Sequence, residues 1–573
     1  MSGSSRFPFA FRCLLASAIA ASSLAAQSAD PRSRVSVASN GDEGNGDSYQ
    51  AAMSSDGRYV AFSSEADNLV AGDVEGRYDV FVHDRTTGAT VRVSVDSNGA
   101  GGDGDSVSPS ISAGGRFVAF SSSAVNLVAA DHNGLRDVFV HDRDPDGNGV
   151  FDEGNGVTTR VSKPTGGGDG DGPSDRASIS ADGSVVAFVS YATNLVSGDT
   201  NQCADIFVRD RPAGTTTRVS VDSSGAQSNY YSLAPSLSRD GRWVAFQSVA
   251  TNLVAGDTNA CEDVFVHDLS TGTTVRASVS TAGVQGNYAS SVATLCADGS
   301  RVAFQSQAGN FSKIDKKGAS VDVFLRDLVA GTTTLVSVDS SGAAANDASF
   351  APMISEDGTT VAFASQATNL SPNDADGVYD VFVRDLNAGT TAIVSQTAWL
   401  ESTEAYTATL SGDGRLVVFY SDSPDLVPDD RNGVYDLFVY DRSIPEPVAA
   451  SANYGAGYPG TNGIPNLSSS SGPVYGATTT LVIGNSSGAW TPALLAIGFG
   501  RASIPTRAGG TLLVDAPHFV VEAIPPPGLS LPFTVPLDPA LCGLVVDLQA
   551  LELDPGASFG ISFTPGLEWT FGN

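Results

Sequence analysis

One phrase recurs seven times, and it limits the possible folds more than any other feature of the chain. A Val-Ala-Phe run leads through an Asn-Leu pair and an acidic turn to Asp-Val-Phe-Val-x-Asp, with small substitutions between copies. The Phe falls at Phe62, Phe120, Phe188, Phe246, Phe304, Phe363 and Phe419, in steps of 58, 68, 58, 58, 59 and 56 residues. The Asp that opens the second run is Asp79, Asp137, Asp205, Asp263, Asp322, Asp380 and Asp436. Fixed-period repetition of this length marks an array in which each unit buries its apolar face against the next.

Each unit reads as four short strands. Strand a resembles Ser108–Ser112 and strand b Trp243–Gln247, joined by a tight Asp240-Gly241 turn. Strand c resembles Asp263–His267 and strand d Arg276–Val279. Alternating apolar residues suit sheets packed face to face, and four strands per unit in radial repetition is the propeller arrangement. The seventh unit stops at Tyr440-Asp441-Arg442 without a strand d, while the chain opens with an unmatched Arg34-Val35-Ser36-Val37. The expectation is an all-β, seven-bladed β-propeller over residues 33–442, closed by the N-terminal strand, because closure removes the open edges of a linear array.

The units resemble the TolB-like, WD-repeat-like propeller repeats of bacterial exported proteins. Ser55-Asp56-Gly57-Arg58-Tyr59-Val60-Ala61-Phe62 and Asp79-Val80-Phe81-Val82-His83-Asp84, with their six echoes, carry the likeness over about residues 34–442. The resemblance implies a propeller fold and an exported protein.

Residues 1–28 read as a signal peptide. Arg6 and Arg12 form the basic start, Cys13–Ala26 the apolar run, and Ala25, Ala26 and Ala29 offer cleavage sites. No later stretch has the roughly 18 apolar residues of a membrane span. The mature chain is therefore expected to be secreted, periplasmic or at the cell surface. With 31 Lys+Arg against 63 Asp+Glu, the net charge is −32, which disfavours nucleic acid as a partner and favours cations. Residues 443–452 form a Pro-containing linker. Residues 453–573 carry short apolar segments separated by Gly, Pro and Asn, the pattern of a small C-terminal β-sandwich.

Positions alike in every blade serve the fold, so function is sought where blades differ. The repeated Asp residues are expected to bond turn backbones. The a–b and c–d turns are short, while the b–c and d–a connections are long and share the opposite face. That face carries acidic turns such as Asp257-Thr258-Asn259 and Asp374-Ala375-Asp376-Gly377, together with Tyr49, Tyr230, Tyr231, Tyr288, Phe350 and Tyr406. Aromatic side chains beside polar loops stack on sugars or anchor a protein partner. Their alternative role is to fill gaps between loops.

The second unit carries an insert in which Asp142, Asp144, Asp146, Asn148 and Glu153 fit the spacing of a calcium loop. Gly147 stands at the sharp turn and Glu153 at the twelfth position. Gly149 stands where such loops carry an apolar residue, so the expected site is a calcium hairpin giving structural support. The bland alternative is a solvated acidic turn. Cys203 and Cys261 occupy like positions in consecutive units and form a disulfide candidate. Such a link would contribute roughly 4 kcal/mol by chain entropy if the Cα atoms approach within about 7 Å.

Catalytic signals are sparse. His83, His141 and His267 share a repeat position held elsewhere by Arg209, Arg326, Arg384 and Tyr440, which reads as a surface strand position. Gly484-Asn485-Ser486-Ser487-Gly488, followed by Asp515 and His518, matches a hydrolase order but lacks the strand–elbow–helix setting. The adjacent Asp56-Gly57 and Asp240-Gly241 do not fit a sialidase Asp-box. No catalytic or cofactor-binding residue is assigned. The reading is an exported binding or scaffold protein that engages a protein or glycan at the long-loop face. The alternatives are a propeller glycosidase or lyase acting on extracellular polysaccharide, and a purely structural envelope protein.

Overall fold

The computed structural model describes residues 31–572 except 74–75, 315–319, 373, 375–376, 397–404, 428–429, 446–449, 507–509, 516, 536–540 and 542. The signal-peptide segment and Cys542 lie outside the described residues, as does the middle of the linker. The described chain is all-β. No helix among the described residues is long and apolar enough to cross a membrane.

Seven four-stranded antiparallel sheets follow one another along the repeats. Sheet 1 is Ser48–Met53, Tyr59–Ser64, Asp79–Asp84 and Ala89–Arg92, here called strands a to d. Sheets 2 to 6 repeat it, ending with Thr390–Ile393. Sheet 7 takes a, b and c from Tyr406–Leu410, Leu416–Ser421 and Asp436–Asp441. Its fourth strand is Arg32–Arg34, which pairs antiparallel with Phe438–Tyr440. Strands b and c are apolar at nearly every position because both faces of each sheet are covered by neighbours. The Phe of strand b lies opposite the Phe of strand c, as in Phe246 and Phe265, with centroids 5.9 Å apart and both fully buried.

Strand d begins and ends earlier than the sequence pattern indicates: Thr273–Arg276, where Arg276–Val279 is expected. The Val-Ser-Val phrase lies beyond the ladder because its Ser turns in to the Asp that opens strand c. Ser94, Ser162, Ser220 and Ser278 Oγ each donate to Asp79, Asp137, Asp205 and Asp263 Oδ1 at 2.5 Å. In sheet 7 the same bond comes from Ser36, 2.5 Å from Asp436 Oδ1. These seven Asp residues therefore bond Ser hydroxyls, where turn backbones were expected. The turn-backbone role falls to others, such as Asp56, whose Oδ1 accepts from the Arg58 amide.

In five sheets the Arg that ends strand d lies between two acids. Arg276 Nη1 is 3.3 Å from Asp257 and 3.2 Å from Asp263. In sheet 7 this role falls to Arg34, with Asp430 and Asp436 both at 3.3 Å. Leu335 and Ile393 stand there in sheets 5 and 6.

Two sets of hydrogen bonds run from sheet to sheet. At the a–b turns, backbone bonds link Ser55 to Ala113, Ala113 to Ala181 and Ala181 to Arg239. They continue from Asp240 to Ala297, Ala297 to Glu356, Asp357 to Gly412 and Gly412 back to Ser55. At the outer strands, Thr hydroxyls donate to carbonyls of the preceding unit: Thr90 to Val37, Thr158 to Val95 and Thr274 to Val221. Arg32 Nε to the Gln396 carbonyl, at 2.6 Å, makes the link from sheet 7 to sheet 6. Each Asp-Gly turn also seats its glycine on the first residue of strand b in the preceding sheet. At Gly299, φ is +69° and a Cβ would lie 2.3 Å from the Trp243 ring, so only glycine fits.

The C-terminal region holds a six-stranded sheet (Ala450–Tyr454, Thr491–Gly498, His518–Ile524, Val545–Leu553, Ile561–Phe563, Gly566–Thr570), a three-stranded sheet and a two-stranded ribbon. Leu481 and Ile483 of the three-stranded sheet share one core with Leu495, Ile497, Leu548 and Trp569 of the larger sheet. Ala450–Tyr454 pairs with Gly566–Thr570, so the sheet begins within the span expected to be linker.

Candidate functional site: the mouth of the central pocket

Strand a is the terminal strand of every sheet, and the seven copies surround a cavity of about 390 Å³. Its floor lies at the a–b turns. There the sheet-to-sheet backbone bonds are crossed by an ion pair, Arg239 Nε to Glu356 Oε1 at 2.6 Å. Arg239 also donates to the carbonyls of Ile111 and Met53, at 2.8 and 3.3 Å, and Ser55 Oγ donates to Glu356 Oε1 at 2.5 Å. The side chains plugging the floor thus come from sheets 1, 4 and 6. The other end, where the long b–c and d–a connections gather, is the mouth.

At the mouth each strand a is interrupted by a β-bulge. Gln50, Ser108, Arg176, Ala234, Val292 and Ala351 there have φ between 45° and 55°. A bulge lifts a residue out of the ladder and re-aims it, and five of these six line the pocket. The freed amides are capped from the preceding sheet. Gln50 Oε1 accepts from Ser108 N, Gln247 from Val292 N and Gln305 from Ala351 N, all at 2.9 Å, and Ser121 Oγ accepts from Arg176 N at 3.0 Å.

The rim is not symmetric. In sheets 6, 7 and 1 it carries a continuous aromatic arc: Phe350, Tyr379, Tyr406, Tyr420, Tyr435, Tyr49 and Tyr78. Successive ring centroids lie 5.0, 5.4, 5.2, 5.9, 5.5 and 6.5 Å apart. All seven rings are half-buried. The equivalent positions in sheet 3 hold Asp175, Ala204 and Val189. Tyr49 Oη donates to Asp47 at 3.0 Å. Burial, reinforced by Glu65, pushes the Tyr78 phenol up to about 12. Both groups stay protonated as donors at any physiological pH. Tyr230 and Tyr288 stand more exposed, at 50% and 47%, and Tyr230 packs on Tyr231 with centroids 5.0 Å apart. The expected aromatics Tyr49, Phe350 and Tyr406 belong to the arc. Tyr78, Tyr379, Tyr420 and Tyr435 escaped the sequence reading because they sit inside or beside regular strands.

The calcium-loop residues form a hairpin. Asp142 is held by Arg116 through two bonds of 2.7 and 2.8 Å. Asp144 accepts from the amides of Asn148 and Gly149, each at 3.0 Å. Asp146 Oδ2 and Glu153 Oε2 converge on the Asn148 side-chain amide at 3.2 and 2.7 Å. Beneath them Arg143, 2% exposed, pairs with Asp152 and stacks between Tyr59 and Phe151. The thiols of Cys203 and Cys261 are separate. Each follows an Asn that caps its own loop, and Cys261 Sγ lies 3.4 Å from the Asn259 carbonyl.

His83, His141 and His267 are buried, 5–6% exposed, and do not occupy the surface position expected of them. Each Nδ1 lies 2.8–2.9 Å from the Oγ1 of Thr90, Thr158 or Thr274, the hydroxyls of the outer belt. Arg209 serves Thr216 in the same way at 2.9 Å, which explains why the position accepts either residue. Burial holds His83 and His141 down to about 4. Ser486 of the Gly-x-Ser-x-Gly motif is also buried. Its Oγ lies 2.9 Å from Glu552, 2.9 Å from Asp554 and 2.7 Å from Ser562. Its hydrogen-bond partners among the described residues include no histidine. His518 lies in a C-terminal strand opposite Ile497.

No protein-family model matches the chain, and no curated protein matches it. Solved structures do. TolB from Acinetobacter baumannii matches at 14% identity with a TM-score of 0.32, over 55% of this chain and 58% of that one. The chain therefore spans little more than half of that protein's length. A putative TolB from Agrobacterium tumefaciens matches at 13% identity and TM-score 0.31, over 58% of this chain and 88% of that one. The tricorn protease matches at 14% identity and TM-score 0.22, over 65% and 33%.

Proposed function

We propose that the seven sheets are the blades of one β-propeller, closed by the Arg32–Arg34 strand, and that the chain is an exported binding or scaffold protein. It engages a protein or glycan ligand at the long-loop face. The observation that carries this reading is the aromatic arc, confined to three consecutive sheets at the open end of a pocket whose other end is plugged. Seven rings in one run, with the Tyr49 phenol bonded to Asp47, form a preorganised contact surface of the kind that dominates recognition. The seven-way Asp–Ser bond, completed by Ser36, supports the closed ring.

The C-terminal region serves in this reading as a β-sandwich module for attachment. Calcium gives structural support at the second-sheet hairpin. Asp144, Asp146, Asn148 and Glu153 form the donor set, and Asp142 stays with Arg116. The Asn148 amide stands where the Asp146 and Glu153 oxygens converge, and turning it over presents its oxygen to a cation.

The test is retention of the mature chain on envelope glycans and envelope proteins, for the native sequence and for Tyr406→Ala with Tyr420→Ala. Retention by the native chain and its loss in an equally stable variant supports the reading. Equal retention by both removes the arc from it.

A further inference from the structure

The six-stranded sheet of the C-terminal region ends in an apolar edge. His518–Ile524 pairs with Thr491–Gly498 on one side and is the last strand of its sheet on the other. Its Val520 and Ile524 face the core and are buried, so Phe519, Val521 and Ala523 face away from it. The register places Val521 beside Leu494, and Leu494 beside Leu551. Along that row exposure rises from partial burial at Leu551 to 39% at Leu494 and 69% at Val521. In the next row Gln549 and Ala496 are fully buried, whereas Phe519 is 49% exposed. The two-stranded ribbon covers the inner end of that row, where the Gln549 side chain bonds Leu513 N at 2.9 Å and the Thr511 carbonyl at 3.1 Å. The outward face of an antiparallel sheet ordinarily turns polar residues to water. Here it is apolar, and in both rows exposure is highest on the edge strand. What these rows lack is a neighbour beyond Val521 and Phe519.

The main chain of the strand is open in the same direction. Among the described residues the Ile524 carbonyl is bonded from outside the ladder, by Asn485 at 3.1 Å, and no such bond reaches residues 519–523. Sheets guard open edges with lysine, proline or a bulge. This strand, His-Phe-Val-Val-Glu-Ala-Ile, has none of them and runs in unbroken register with its neighbour. A row of unpaired N–H and C=O groups flanked by exposed apolar side chains is completed by another extended strand. It also lies in a sparsely charged part of an acidic chain: residues 453–573 hold no lysine, two arginines and seven acids. A lipid surface recruits lysine and arginine, which this module scarcely has.

We propose that this edge is the contact between two copies of the chain, each adding its His518–Ile524 strand to the other's sheet in antiparallel pairing about a two-fold axis. Full overlap of the seven residues sets Val521 against Val521 of the second copy and Phe519 against Ala523. His518 then falls opposite Ile524 and Glu522 opposite Val520, so like charges do not face each other across the axis. The same patch serves both copies, as an isologous contact requires. The dimer displays two copies of the aromatic arc, so a ligand presented at high density is held at two points.

The test is sedimentation velocity of the mature full-length chain over a series of concentrations. The native chain is expected to form a dimer that tightens as salt screens its acidic surface. Val521→Lys sets two ammonium groups against each other at the axis and is expected to weaken association about tenfold or more. Val521→Thr is expected to retain it. Val521 is exposed, so unchanged circular dichroism of both variants verifies the fold. Oxidised Val521→Cys is expected to form a disulfide-linked dimer beyond any given by the native thiols, because opposite residues of an antiparallel pair have Cα atoms about 4.5–5.5 Å apart. The proposal is overturned by a native chain that stays monomeric at every concentration and salt, by a dimer that Val521→Lys leaves intact, or by a dimer that Val521→Cys does not cross-link. It is also overturned if a monomeric native chain binds phosphatidylcholine vesicles and Val521→Lys abolishes that binding, which gives the edge to a lipid surface.

Discussion

The buried imidazoles make an acid-sensitivity prediction that the protein itself shows how to remove. His83 and His141 are 6% and 5% exposed, and burial lowers both from 6.5 to about 4. A histidine whose folded pKa is depressed contributes stability that is complete above its unfolded pKa. That contribution is lost as pH falls from 6.5 through the folded value, because the unfolded chain takes up the proton first. A gap of about 2.5 units corresponds to about 3 kcal/mol for each imidazole, most of it lost by pH 4.5. Arg209, Arg326 and Arg384 occupy the equivalent position and bond the same Thr hydroxyl. Replacing His83 and His141 with Arg therefore preserves the belt while removing the titration. The assay is urea unfolding of wild type and the double variant at pH 7.5 and 4.5. Buried carboxylates such as Asp137 and Asp263, pushed up by burial, titrate alike in both proteins, so the difference between them isolates the histidines. The double variant should lose several kcal/mol less than wild type across this interval. Parallel losses in the two proteins would show that His83 and His141 do not carry the acid sensitivity.

Other outcomes follow from the same geometry. Ser36→Ala and Ser94→Ala each remove a hydroxyl bonded to a buried Asp and to a backbone amide, so each should cost about 2–4 kcal/mol in denaturant unfolding. A Ser36→Ala value near zero beside a large Ser94→Ala value would detach the N-terminal strand from sheet 7. Gly299→Ala, at φ +69° and against the Trp243 ring, should destabilise by about 1–3 kcal/mol, and an unchanged melting temperature would contradict the packing. Calcium should raise the melting temperature of the native chain but not of Asp144→Ala with Glu153→Ala. Equal responses to calcium and to EDTA would reduce the hairpin to a turn.

The sevenfold phrase exposed the four-stranded units because their strands b and c are buried on both faces, and such burial writes apolar runs into sequence. The unmatched Arg34-Val35-Ser36 was equally visible, since it repeats Arg92-Val93-Ser94. Its extent was misjudged: Val and Ser look like strand by residue type, but the Ser–Asp bond carries the chain out of the ladder. The histidines misled for a related reason. A position that tolerates His, Arg and Tyr looks like surface, yet His and Arg there meet the same Thr hydroxyl, and in sheet 7 Tyr440 lies opposite Arg32. The site was half legible. Aromatics in loops stood out, whereas Tyr379, Tyr420 and Tyr435 lie in or beside strands and align only when sheets 6, 7 and 1 are brought together.

The measurement that tests the architecture most directly is amide hydrogen exchange across residues 31–38 of the mature chain. Val35, whose N–H bonds the Leu437 carbonyl at 2.8 Å, should exchange as slowly as Val93, which bonds Val80 at 2.9 Å. Exchange of residues 31–38 at the rate of an unstructured tail, beside a protected Val93, would contradict the closed ring and the plugged pocket it surrounds.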